Sequence, residues 1–388
     1  MTIRPKVLIV DDEDQRLVVH ELEQNGLAAV WRFPTAVTLD DLGDATLVAV
    51  DQYIQYESAP DEDLLLPVDV PEALVPYDGL ALAAVFRSAA KRAGRTKPLP
   101  IALRSGDLDR LTQGRPRAIR ETILSATHDL EWVLSKTDPD DNPDNPDNPD
   151  NPTTAGNLGS RTLTALARAL IDFPSSGGRP SLQQYAGWLL PKNSPSWAVR
   201  AARQIEQCRP PTNAALEESH GLSWLRWLAH QCLPFPTFVT NDIRTATELG
   251  ISVDSFREIL SAESLIGNRL RNACYDGPLA GLHPRRFWRA AIREFVSELV
   301  DADEVDDPQV IGEHLAKMDS RAQPLDLVDP VVCIDPNYYD LEQPVEQREA
   351  HRLTPDYWPA YADPPFAHVD ALAQDPDLQA LLAPRLQA

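Results

Sequence analysis

No apolar run in the 388-residue chain approaches the roughly 20 residues needed to span a membrane. The opening stretch, MTIRPKVLIVDDED, meets acid after a short apolar run, which does not fit a secretory signal. Cysteine is scarce. Cys208, Cys232, Cys274 and Cys333 lie far apart, which excludes a disulfide framework and suits a reducing compartment. A surplus of positive charge is also missing. The net charge of −23 disfavours nonspecific attraction of the whole molecule to nucleic acid or anionic membrane. A Walker loop, a nucleophile elbow and an HExxH motif are all absent, so the chain carries no signature of a turnover enzyme. These absences together lead us to expect a cytoplasmic protein without a membrane partner.

What is present is ordinary globular material, 43% hydrophobic and 24% charged, enough for roughly two to three domains. The charge is unevenly spread. Residues 1–178 hold 17 Lys/Arg against 29 Asp/Glu, residues 179–298 hold 14 against 11, and residues 299–388 hold 5 against 19. Only the middle stretch, at a net +3, tolerates a polyanion.

The first 170 residues alternate between two patterns. KVLIV (6–10), LAAVWRF (27–33), ATLVAVD (45–51), LPIALRSGD (99–107) and LEWVLSK (130–136) are short apolar runs of strand type. Residues 15–25, 77–94, 117–126 and 160–173 carry helical spacing. Buried strands alternating with helices predict an α/β fold, a doubly wound five-stranded parallel sheet. We place this domain at 1–174, with an insertion at 52–75 and an extended or disordered loop at 138–157. The loop sequence DPDDNPDNPDNPDNP buries nothing, and its prolines remove backbone donors. It lacks the glycine and the bidentate glutamate of an EF-hand calcium loop. Residues 178–300 predict a mainly α-helical domain with packing tryptophans (Trp188, Trp197, Trp224, Trp227, Trp288). Residues 301–388 predict an irregular, acidic, proline-rich arm that wraps its own body or a partner.

In an open parallel sheet, ligands bind at the carboxyl ends of the strands. The strand ends here carry Asp11 and Asp12, then Asp51, then Ser105, then Lys136. Three converging carboxylates repel one another unless a cation joins them. Mg²⁺ takes oxygen ligands and tolerates one or two carboxylates plus phosphate. A hydroxyl and an ammonium beside it suit a phosphoryl group. Glu13 and Asp14 are expected at a solvated helix start, where negative charge complements the helix dipole.

This pattern resembles the receiver domain of two-component response regulators over about residues 4–174. The acidic pair after VLIV, Asp51, Ser105 and Lys136 match its five functional positions in order, and VPYDGLAL (75–82) is similar to the lead-in to its third helix. The resemblance implies that Asp51 accepts a phosphoryl group from a histidine kinase or phosphotransfer protein. Asp11, Asp12, Asp51 and the backbone carbonyl of Tyr53 would hold Mg²⁺. Ser105 would meet the phosphoryl oxygen, Lys136 would pair with it, and an effector protein would read the outcome. An alternative is a pseudo-receiver that never takes phosphate and serves as an interaction subunit. The chain departs from the family at three places. An insertion of about 20 residues follows Asp51 before Pro76, Thr137 follows the lysine, and Val133 stands at the usual aromatic switch position, with Trp132 beside it.

Further along, residues 241–260 fit helix-turn-helix spacing, but the second helix offers Asp254, Arg257 and Glu258, a poor face for phosphate. Nucleic acid is therefore not an expected partner and plain helical packing is the favoured reading, with a DNA-binding transcription regulator acting through residues 241–260 kept as a second alternative to the receiver reading. Arg286, Arg289 and Arg293 share a helical face, joined by Arg285, and suit an anionic partner or the chain's own acidic tail. Cys208, His220, His230 and Cys232 lack the spacing of a zinc site.

Overall fold

The computed structural model describes residues 4–55, 76–136, 158–172, 187–193, 195–211 and 221–382. Most of the insertion at 52–75, the loop at 138–157 and His220 lie outside the described residues. The chain divides into two compact units. The first is Met1–Gln113, Glu121–Trp188 and Pro211–Ala229; the second is Gly114–Arg120, Leu189–Pro210 and His230–Ala388.

The first unit is built on five parallel strands. In chain order the elements are β1 (Lys6–Val10), α1 (Arg16–Gln24), β2 (Ala28–Arg32), α2 (Leu39–Asp44), β3 (Leu47–Asp51), α3 (Gly79–Arg92), β4 (Ile101–Ser105), α4 (Leu108–Leu111), α5 (Arg120–Thr127), β5 (Trp132–Ser135) and α6 (Leu158–Asp172). The strand order is β2-β1-β3-β4-β5, the flavodoxin-like order, and every pairing is parallel. Parallel strands covered on both faces need apolar residues at consecutive positions. That explains why Val7, Leu8, Ile9 and Val10 are all fully buried.

Strand residues alternate between the two faces. Leu8, Val10, Val48, Val50, Ile101, Leu103 and Val133 form one core with Leu42 of α2 and Leu82, Ala83 and Phe86 of α3. Each such side chain contributes about 1.5–3 kcal/mol by leaving water. Val133 is thus a core residue. On the other face α6 packs on β1, β3 and β5 and against α1. Helix α2 is absent from the sequence reading above, although Thr38 and Asp41 make a reciprocal capping box at its start.

The second unit is largely helical around an aromatic centre. Trp288 is fully buried, with Trp197, Phe238 and Tyr275 at centroid distances of 5.5, 5.5 and 5.2 Å. The expected helix pair at 241–260 is present as Asp242–Glu248 and Val253–Ser261. Gly250 makes the turn at a φ of +66°, and a Cβ there would lie 1.6 Å from the Pro308 carbonyl oxygen. Only glycine fits both demands. Helix Val253–Ser261 buries Phe256, Ile259 and Leu260, and its exposed residues are Asp254, Glu258 and Ser261.

Residues from the acidic C-terminal stretch fold back on this unit. Arg244 donates to Asp340 through Nε and Nη2 at 2.9 and 2.7 Å, and Asn241 donates to the same carboxylate at 2.8 Å. Arg257 bridges Asp242 and Glu342. Arg289 bridges Glu248 and Asp363, and Arg293 pairs with Asp306. Arg286 is half-buried and donates to the Leu233 carbonyl at 2.9 Å. Among the described residues of the whole chain, no helix is long and apolar enough to cross a membrane.

Candidate metal centre

The strand order switches between β1 and β3, which pair with Val10 opposite Val50. One step beyond that pair stand Asp11 and Asp51, so two carboxylates meet at the crevice of the sheet. With Asp12 they form a group whose ligand oxygens lie within 4.8 Å of one another. This cluster can hold a metal ion.

The three aspartates are not equivalent. Asp11 is fully buried and fully engaged. Its Oδ1 accepts the Glu13 N–H at 3.0 Å, and its Oδ2 lies 3.0 Å from Lys136 Nζ and 3.3 Å from Arg104 Nη1. Its backbone carbonyl accepts the Trp31 indole N–H at 2.9 Å. Asp12 is half-buried. Its Oδ2 accepts the Gln55 N–H at 2.8 Å, while Oδ1 is buried with no hydrogen-bond partner among the described residues. An anionic oxygen buried without a donor is costly, and a cation relieves that cost. The donor set is all oxygen, which suits a hard divalent ion.

Asp51 is only 4% exposed, and its Oδ1 lies 2.9 Å from Lys136 Nζ. Burial and the Asp11 carboxylate push its pKa up to about 6, with Lys136 pulling the other way. Burial penalises the Lys136 ammonium, but the Asp11 and Asp51 carboxylates outweigh that and hold its pKa above the ordinary lysine value. Among the described residues, three carboxylates therefore face two cations, Lys136 and Arg104.

The backbone fixes Asp51 firmly. A Cβ at Gly79 would lie 2.0 Å from the Asp51 carbonyl oxygen, so α3 begins directly against the end of β3. The Gly79 N–H donates to the Gln52 carbonyl at 2.9 Å. Asp78 caps α3 by accepting the Leu80 N–H at 2.7 Å, and it also accepts from Gln52 Nε2 at 3.2 Å. The segment around YDGLAL is thus a clamp on the end of β3.

The other expected residues are placed as follows. Lys136 joins the cluster, and its N–H extends the β4–β5 pairing by donating to the Ser105 carbonyl at 2.8 Å. Ser105 is buried at the end of β4, where its hydroxyl accepts the Asp107 N–H at 3.1 Å. No hydrogen bond links that hydroxyl to Asp51 or Lys136 among the described residues. Tyr53 lies two residues past Asp51, in a single antiparallel bridge with Asp78, and its side chain is exposed.

Sequence reasoning missed Arg104 and Gln15. Arg104 is buried on β4, directly opposite Asp51 in the strand register, and donates to Gln15 Oε1 at 2.9 Å as well as to Asp11. The signal was a cation inside the apolar run LPIALRS, since a buried arginine requires an anionic or polar partner. It also missed Arg226. Its guanidinium grips the fully buried Glu131 through Nε and Nη2 at 3.0 and 2.6 Å, which ties helix Leu222–Trp227 to the start of β5 within the first unit.

No protein-family model matches the chain, and no curated protein is similar enough to match it.

Proposed function

We propose that the edge of the first unit is a receiver-type phosphoacceptor site, with Asp51 as the nucleophile. The observation that carries this reading is the convergence of Asp11, Asp12, Asp51 and Lys136 at the topological switch point of a 2-1-3-4-5 parallel sheet. Mg²⁺ is the ion we assign, held by Asp12 and Asp51 with Asp11 and the Tyr53 carbonyl. When bound, it neutralises charge on the phosphoryl oxygens.

An Asp51 carboxylate oxygen attacks the phosphorus of a phosphohistidine on a histidine kinase or phosphotransfer protein. The P–O bond forms as the P–N bond breaks, and the departing imidazole takes up a proton. Lys136 holds Asp51 before transfer and pairs with the new phosphoryl charge afterwards. The site contributes positioning and charge neutralisation and needs little other chemistry. The added charge then biases the surrounding loops toward a form that an effector protein reads.

The test is incubation of the full chain with a small phosphodonor and Mg²⁺, followed by intact-mass analysis of wild type and Asp51→Asn. Wild type is expected to gain one phosphoryl group and the variant none. Absence of the adduct with every donor would remove the phosphoacceptor reading. It would favour the second one, a pseudo-receiver used for docking. That alternative draws on Arg104, which already supplies Asp11 with a fixed cation.

A further inference from the structure

The guanidinium of Arg104 stands against the carboxylate cluster, with Nη1 3.3 Å from Asp11 Oδ2. Ala102 and Arg104 share a strand face, and Arg104 is the direct β4 partner of Asp51. The side chain is only 7% exposed. Gln15 Oε1 anchors it at 2.9 Å, and Gln15 is itself buried. Arg104 thus keeps a permanent positive charge against Asp11 Oδ2, an oxygen that Lys136 also occupies. Both Asp11 oxygens already have donors, whereas Asp12 Oδ1 has none among the described residues.

We propose that Arg104 is an intramolecular rival of the divalent cation, which withholds Asp11 from the ion and lowers the affinity of the Asp12–Asp51 site. The inference rests on the metal-assisted reading above and adds its regulation. The fixed guanidinium thereby sets how tightly the site takes the ion, and hence phosphoryl acceptance. Arg104 acts through Asp11 and the local field, so it is a positioning residue.

A merely structural arginine and a rival differ in sign. Removing a structural support loosens the carboxylates and weakens ion binding. Removing a rival takes one of two cations off Asp11 and removes a positive charge from the site, which tightens binding of another cation.

The experiment is calorimetric Mg²⁺ binding to the full chain at fixed pH and ionic strength, comparing wild type, Arg104→Met and Arg104→Lys. Arg104→Met is expected to bind Mg²⁺ at least about tenfold more tightly than wild type, a direction that follows from losing one adjacent positive charge. Arg104→Lys, which keeps the charge, is expected to stay close to wild type. Binding by Arg104→Met that is equal to or weaker than wild type overturns the inference and leaves the metal reading standing. Absence of binding by wild type and every variant overturns both. Should Arg104→Met fail to fold, Arg104→Gln replaces it, since it removes the charge and keeps a hydrogen-bond donor at the position. Arg104→Gln is expected to tighten Mg²⁺ binding measurably, and unchanged or weaker binding contradicts the proposal.

Discussion

The two units use charge in opposite ways. In the second, buried or half-buried arginines are matched to carboxylates, as Arg244 is to Asp340 and Arg289 to Glu248 and Asp363. At the sheet edge of the first unit, among the described residues, Asp11, Asp12 and Asp51 outnumber Lys136 and Arg104. A matched pair holds a fold together. A surplus of like charge weakens the fold, and it persists at sites where a ligand supplies the missing charge. The abundance of ionisable groups is therefore a poor guide to function, and their local imbalance is a better one.

The sharpest way to break this comparison is to unbalance the matched side. Asp340→Ala strips a buried guanidinium of both its Nε and Nη2 acceptors. The expected cost is about 3–5 kcal/mol, as for any buried pair that loses one partner. Denaturant unfolding followed by tryptophan fluorescence checks it, and a loss within about 1 kcal/mol would mean that the pairing contributes little to the unit.

The converse change should have the opposite sign. A carboxyl whose folded-state pKa is raised from 3.8 to about 6 binds its proton more tightly in the native state. Native stability therefore falls as pH rises through that window, and the loss is complete above it. Asp51→Asn removes the charge and leaves Lys136 still paired with Asp11. In chelator at neutral pH it should stabilise the protein by about 1–3 kcal/mol, and near pH 4 the gain should vanish. Thermal unfolding of both proteins across pH 4–8 measures this, and a variant that is less stable at pH 7 contradicts it.

The smallest effect is expected where a pair is exposed. Asp306 is exposed and Arg293 half-buried, and Asp306→Ala, which leaves the Arg293 bond to the Val305 carbonyl in place, should cost under about 1 kcal/mol. A larger loss would show that the matched pairs of the second unit act as one network rather than singly.

The imbalance at the sheet edge was largely legible in the sequence, because it depends on position along strands. Apolar runs ending in Asp11, Asp51, Ser105 and Lys136 place those residues at strand ends once the parallel sheet is inferred. The parallel order of the sheet follows from the alternation of strand and helix patterns. The balancing charges were not legible. Arg104 meets Asp11 across 93 positions, Arg226 meets Glu131 across 95 and Arg244 meets Asp340 across 96, separations that no local pattern encodes. Helix α2 was missed for another reason. It is only six residues long, too short for apolar periodicity to register, although its Thr38–Asp41 cap was written in the chain.

The claim that the first unit holds a carboxylate surplus waiting for a cation is tested most directly at Asp51 itself. Its carboxyl ¹³C shift can be followed against pH in wild type, assigned by comparison with Asp51→Asn, with and without Mg²⁺. A surplus site predicts a midpoint near 6 without the ion and a clear downward shift when Mg²⁺ is added. A midpoint in the ordinary carboxylate range that ignores Mg²⁺ would contradict the account.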